Sequence, residues 1–67
     1  MSVPKIGSWH QLNGNAMVIE ITGYNAKTRV VSTRIVESMS EFKIGREGEL
    51  STDELKKYYH EIVKDDY

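Results

Sequence analysis

The chain has 67 residues, a formal net charge of −1 from nine basic and ten acidic side chains, and no cysteine. This length predicts one domain over residues 1–67, with a core barely large enough to offset the chain entropy lost on folding. The lack of cysteine excludes disulfides and thiolate metal sites and suits a reducing compartment.

Charge and hydropathy narrow the choice of partners. The chain starts without the apolar run of a signal peptide, and no segment approaches the roughly 20 apolar residues of a membrane span. We therefore expect a cytoplasmic protein without a membrane partner.

The near-zero net charge argues against nucleic-acid binding by bulk charge. Residues 1–34 nevertheless carry +3 and residues 35–67 carry −4, so the molecule can have a basic and an acidic side.

The first half of the chain is predicted to form a hairpin. Residues 3–12 resemble an extended lead-in or strand, and Asn13-Gly14 is the strongest short hairpin signal, typical of a primed turn with two positive φ angles. Residues 16–22 alternate as a strand. The face that we assign to the core carries Met17, Ile19 and Ile21.

The middle of the chain predicts further short strands. The segment GYNAKT indicates a second reversal, and residues 29–36 follow as a β-branched strand whose two faces are both partly apolar. A polar turn then leads to a short strand around Phe42–Ile44. Gly48 is expected to form another turn before Leu50.

The last part of the chain predicts a helix over about residues 52–64. Ser51 and Glu54 have the spacing of a capping box, and Leu50 and Leu55 have the spacing of a hydrophobic staple around the same cap. The helical spacing predicts one buried stripe of Leu55, Tyr58, Tyr59 and Ile62.

Together these elements predict a mainly β fold of the β+α kind: a small antiparallel barrel or curled sheet of four or five strands with one C-terminal α-helix. The order G-x-W at residues 7–9, the hairpin, the β-branched third strand and LSxxELxxxY at 50–58 resemble small Src-homology-three-type or Tudor-type barrels of bacterial and phage accessory proteins. The resemblance implies binding of proteins or nucleic acids and carries over no site residue.

The sequence offers little for catalysis. The two histidines, His10 and His60, lie on different elements without the spacing of a zinc site, so no metal is expected. The glycines do not form a phosphate loop, and the serines lack a nucleophile elbow. We therefore expect no cofactor and no enzymatic activity.

Trp9 and His10 raise the main question about binding. Consecutive side chains of a strand leave by opposite faces, so one of the two faces out. Ring size favours a tryptophan that is at least half buried, through a bulge at Gly7, and a histidine in solvent. Strict alternation with Ile6 and Leu12 predicts the reverse, which would make Trp9 the best contact residue.

Binding to a protein is the leading hypothesis, on a face around the aromatic side chains near strand ends. Single-stranded DNA or RNA binding through a basic, aromatic strand face is the alternative, with Lys5 and Lys27 adding to the basic side chains. A homodimer that pairs edge strands is a third possibility. The candidate partner-binding residues are Trp9, His10, Tyr24, Arg29, Arg34, Phe42 and Lys43.

Overall fold

A computed structural model describes residues 4–63 of the chain. Its five strands form one antiparallel, curled half-barrel sheet with the order β4-β3-β2-β1-β5. This architecture confirms the predicted mainly β fold with a single helix late in the chain. The elements are β1 (Trp9–Leu12), β2 (Val18–Asn25), β3 (Val30–Glu37), a 3-10 helix (Glu41–Lys43), β4 (Glu47–Ser51), α1 (Thr52–Tyr58) and β5 (Tyr59–Ile62).

The predicted first hairpin is present, but its turn is of a different type. β1 pairs with β2, and the Leu12 N–H donates to the Met17 carbonyl at 3.0 Å. Within residues 13–16 only Gly14 has a positive φ, so the predicted primed turn, which needs two, is wrong. The Asn15 side chain instead accepts from the Met17 N–H at 3.1 Å and holds a four-residue loop.

The first strand is shorter than residues 3–12. Lys5 to Ser8 form a turn in which the Ser8 N–H donates to the Lys5 carbonyl at 3.0 Å. Gly7 has a φ of 92° in this turn, which a glycine adopts without steric cost. β1 therefore begins at Trp9, and residue 3 lies outside the described residues.

The core lies on the inner face of the sheet, the face that carries Ile19, Ile21 and Val31. These three side chains are buried together with Leu55 of α1, which confirms the core face predicted for β2. Val18 is also fully buried, which the sequence did not predict. Partly buried side chains packed around this cluster are Met17, Tyr24, Ile35, Leu50 and Tyr59.

A bulge in β2 changes which side chains reach the core. Ile21 pairs with Thr33 but Gly23 pairs with Ser32, so Thr22 is an extra residue in the ladder. Beyond the bulge the alternation is reversed. Tyr24 therefore pairs with Val31 and packs, partly buried, against the core cluster.

The segment between β3 and β4 differs from its prediction. The predicted strand around Phe42–Ile44 is a 3-10 turn, in which the Ile44 N–H donates to the Glu41 carbonyl at 3.2 Å. Gly45, with a φ of 91°, then turns the chain back onto β3. Gly48 is not a turn residue but lies within β4, opposite Thr33.

The helix begins as predicted and ends six residues early. The capping box is present: Ser51 Oγ accepts from the Glu54 N–H at 3.1 Å, and the Ser51 N–H donates to Glu54 Oε1 at 3.3 Å. The predicted helix over 59–62 is wrong because this segment pairs with β1 as β5. Tyr58 is about half exposed as a result, and Tyr59 and Ile62 lie on β5 instead of the helix. Of the predicted buried stripe, Leu55 is therefore the one residue that is buried on α1. Residue 64 lies outside the described residues.

We expect Ser51→Ala to lower the free energy of unfolding by about 1 kcal/mol, because it leaves the Glu54 N–H in the first turn of α1 without its acceptor. Urea unfolding followed by Trp9 fluorescence measures this change. Ser51→Thr keeps the hydroxyl and serves as the matched control, with most of the stability retained. Equal losses in both variants would contradict a capping role.

Candidate functional site

The two most exposed large apolar side chains among residues 4–63 belong to residues 38–46, which we call the β3–β4 loop. Met39 is 89% exposed and Phe42 is 88% exposed, and Ile44 is 46% exposed. Large apolar side chains that cluster on the surface of a small domain are typical of interaction sites. The loop is therefore the first candidate for a functional surface.

Backbone hydrogen bonds hold this loop in a defined shape. The Gly45 N–H donates to the Ile35 carbonyl at 2.7 Å, and the Ile35 N–H donates to the Arg46 carbonyl at 2.9 Å. The Ser40 N–H donates to Ser38 Oγ at 3.2 Å. A loop closed by such bonds loses less conformational entropy on binding than an unstructured one.

The loop has a polar rim of both charges. Glu41 and Lys43 flank Phe42 on the 3-10 helix, and Glu37 and Arg46 lie at the two ends of the loop. All four side chains are exposed. An apolar centre within a mixed polar rim is the usual composition of a protein-binding surface.

A second group of polar side chains lies on the outer face of the sheet, the face opposite the core. Trp9, Glu20 and Arg34 are directly opposite one another on β1, β2 and β3. Trp9 Nε1 donates to Glu20 Oε2 at 3.3 Å, and the Arg34 guanidinium donates to Glu20 Oε1 at 2.9 Å. Trp9 is more than half buried, as expected, and Arg34 is in an ion pair.

The surroundings of Arg34 are acidic. Glu47 lies opposite Arg34 on β4, and Glu49 lies opposite Ser32 on the same face. Together with Glu20, three carboxylate side chains share this face with Arg34, and Glu20 is the one that forms the ion pair. A phosphate backbone on this face would meet more acidic than basic side chains, which is unfavourable for its binding.

His10 is buried, at 8% exposure, which corrects the expectation of a histidine in solvent. Strand alternation holds, so His10 faces the core side while Trp9 takes the outer face. Ser8 Oγ donates to the Lys5 carbonyl at 2.6 Å, so His10 Nε2 is the donor in the 3.0 Å hydrogen bond with Ser8. Because the serine proton points away from His10, the pair is not an activated nucleophile.

Burial determines the protonation of His10. Desolvation lowers the pKa of His10, Glu61 opposes this shift, and His60 adds to it. A cavity of about 500 Å³ lies beside His10, between Lys5 and Tyr59. Burial, together with Glu54, raises the pKa of Tyr59, so both rings next to the cavity favour their neutral forms.

Within residues 4–63, no three His, Asp or Glu side chains are grouped as metal ligands.

We expect the stability of the protein to fall as the pH drops below about 6.5, the value for an unperturbed histidine. The pKa of His10 is lower in the folded protein, so on acidification the unfolded chain takes up the His10 proton at a higher pH than the folded protein does. Acidification therefore stabilises the unfolded state relative to the folded state. The contribution of His10 to stability is constant above this range and levels off again below the folded pKa. Urea midpoints across this pH range test the prediction, and His10→Gln should flatten the dependence. The same slope in both proteins would contradict it.

The other candidate residues are not brought together. Tyr24 packs against the core, and Arg29 lies in the β2–β3 turn with a φ of 57°. Phe42 and Lys43 follow the other end of β3, an eight-residue strand that spans about 25 Å. There is thus no single face of Trp9, Tyr24 and Phe42. The sequence did not single out Met39 or Ile44, although apolar residues within a polar loop were a visible signal.

No protein-family model, no curated protein and no solved structure matches the chain. Among residues 4–63, no helix combines the length and the hydrophobicity that crossing a membrane requires. The candidate site is therefore defined by the exposure and the hydrogen bonds of the residues of the β3–β4 loop.

Proposed function

We propose that this protein is a small non-enzymatic interaction module that binds a partner protein through the β3–β4 loop. The observation that carries the proposal is the nearly complete exposure of Met39 and Phe42 on a hydrogen-bonded loop. Fully burying each of these side chains contributes about 1.5–3 kcal/mol. Apolar anchors of this kind within a polar rim are typical of the centre of a specific interface.

Single-stranded DNA or RNA binding is the alternative, and the geometry favours it less. Arg29 and Lys43 lie beyond opposite ends of β3, and Arg34 is paired with Glu20 at 2.9 Å. A phosphate backbone that follows β3 would pass three carboxylates on the outer face. Protein binding also fits the near-zero net charge of the chain.

The proposal includes the class of protein. The antiparallel half-barrel supports the resemblance to small Src-homology-three-type or Tudor-type barrels, which act as accessory proteins of bacteria and phages. The absence of cysteine supports work in the cytoplasm. In this role the protein regulates or directs a partner through contact alone.

Site-specific photo-crosslinking tests the proposed surface. A benzoylphenylalanine at position 42 should give a defined crosslinked protein from a cell lysate, whereas the same probe at the exposed Lys27 position should not. Excess unlabelled wild-type protein should compete, and excess Phe42→Ser protein should not. Crosslinks only to nucleic acid, or equal competition by both proteins, would overturn the proposal.

A further inference from the structure

The half-barrel is open on one side. β4 and β5 are the two edges of the sheet, and α1 connects the end of β4 directly to the start of β5. A groove of about 180 Å³ follows β4 on this open side. Its lining includes four partly buried side chains, Met17, Ile35, Leu50 and Tyr59.

The backbone of β4 can accept another strand. The Thr52 N–H donates to the Arg29 carbonyl at 2.9 Å, and the Ile35 N–H donates to the Arg46 carbonyl at 2.9 Å. Since hydrogen-bonded pairs alternate along an antiparallel ladder, Gly48 bonds to β3 and its neighbours Glu47 and Glu49 do not. The backbone N–H and C=O groups of these two glutamates therefore point away from the sheet.

The side chains of β4 differ between its two faces. Glu47 and Glu49 share the outer face with Arg34 and are exposed. Gly48 lies on the inner face, where its missing side chain leaves the groove open next to Thr33. An added strand would thus meet two carboxylates on one side and, on the other, a mostly apolar groove whose lining also includes Arg46.

We propose that the edge of β4 is a second binding site, which takes one extended segment of a partner protein with basic and apolar side chains in alternation. The basic side chains lie opposite Glu47 and Glu49, and the apolar ones enter the groove. Main-chain hydrogen bonds to β4 provide affinity, and the alternation provides specificity. The proposed contacts are made by β4 and not by Phe42, so binding at β4 can fail while binding through Phe42 holds, even though Arg46 lies next to both.

A second copy of this chain is a poorer occupant. Two β4 edges paired antiparallel would place glutamates of one copy against glutamates of the other. Like charges opposite each other in a sheet are destabilising. Charge complementarity therefore selects a basic segment over self-association.

A short peptide of alternating lysine and valine is the probe. Titration into the ¹⁵N-labelled protein should shift the amide signals of β4 and slow hydrogen exchange at Glu49. A peptide of alternating glutamate and valine tests charge. A peptide with the same lysines and valines in two blocks tests alternation. Neither control should bind.

Two variants separate the contributions of charge and backbone. Glu49→Pro removes an outward N–H without removing a β3–β4 hydrogen bond, and Glu49→Gln retains that N–H. We expect the proline variant to bind the peptide about tenfold more weakly than the glutamine variant, the effect of one lost hydrogen bond. Thermal unfolding of each variant confirms that it is folded.

Three results would overturn the proposal. The first is that the acidic or the blocked peptide binds as tightly as the alternating basic peptide, and the second is that the Glu49 amide is not protected from exchange at saturating peptide. The third is that this amide is already protected in the free protein and that sedimentation shows a dimer. The last result would assign the edge to a second copy. Crosslinking at position 42 is independent of all three.

Discussion

Replacing Ile21 with alanine should lower the free energy of unfolding by about 3–4 kcal/mol, within the range for buried isoleucine. Ile21 is fully buried at the centre of the cluster that joins β2, β3 and α1. A chain of this length has a total stability of about 3–10 kcal/mol. Much of the variant is therefore expected to be unfolded near 37 °C. Urea unfolding monitored by Trp9 fluorescence and far-UV circular dichroism measures the loss.

The neighbouring residue provides a matched control. Thr22 is the exposed bulge residue of the same strand, and Thr22→Ala should change stability by no more than about 0.5 kcal/mol. A small effect of Ile21→Ala, or equal effects of both substitutions, would show that the core is not centred on this face of β2.

Leu55→Ala should have the second largest effect, a loss of about 2–4 kcal/mol. Leu55 is the single buried residue of α1 and belongs to the same core cluster as Ile21. Because α1 joins β4 to β5, its release should also accelerate hydrogen exchange in both edge strands. Equilibrium unfolding and amide exchange measure the two effects.

Lys56→Ala is the control for this second substitution. Lys56 is exposed on the same helical turn, and alanine is a good helix former, so stability should stay within about 0.5 kcal/mol of wild type. Faster exchange in β4 alone in the Leu55→Ala protein would contradict the view that the helix holds both edges.

Local signals predicted the parts of the fold that depend on local chemistry. The alternation of Ile19 and Ile21 identified the core face, and the Ser51–Glu54 pair located the start of the helix. The end of the helix depends instead on a distant partner. Tyr59 has a helical spacing from Leu55, but its segment covers the otherwise unpaired edge of β1, and this pairing overrides the helical pattern.

The candidate site was predictable to a smaller extent. Phe42 was identified from its place near a turn, but the shape of its loop depends on Gly45 and on hydrogen bonds to Ile35. Tyr24 was identified as a candidate from its place near a turn, and the bulge at Thr22 that turns it toward the core is defined only by the pairing of β2 with β3. The pairing of Trp9 and Arg34 through Glu20 requires the register of three strands, which short-range patterns do not define.

α1 links two strands that run in the same direction. Each neighbouring pair in the order β4-β3-β2-β1-β5 is antiparallel, so β4 and β5 are parallel to each other. Parallel strands cannot be joined by a two-residue hairpin and need a longer crossover. The seven residues of α1 provide this crossover, so shortening the helix to a tight turn would be incompatible with the pairing of β5 with β1.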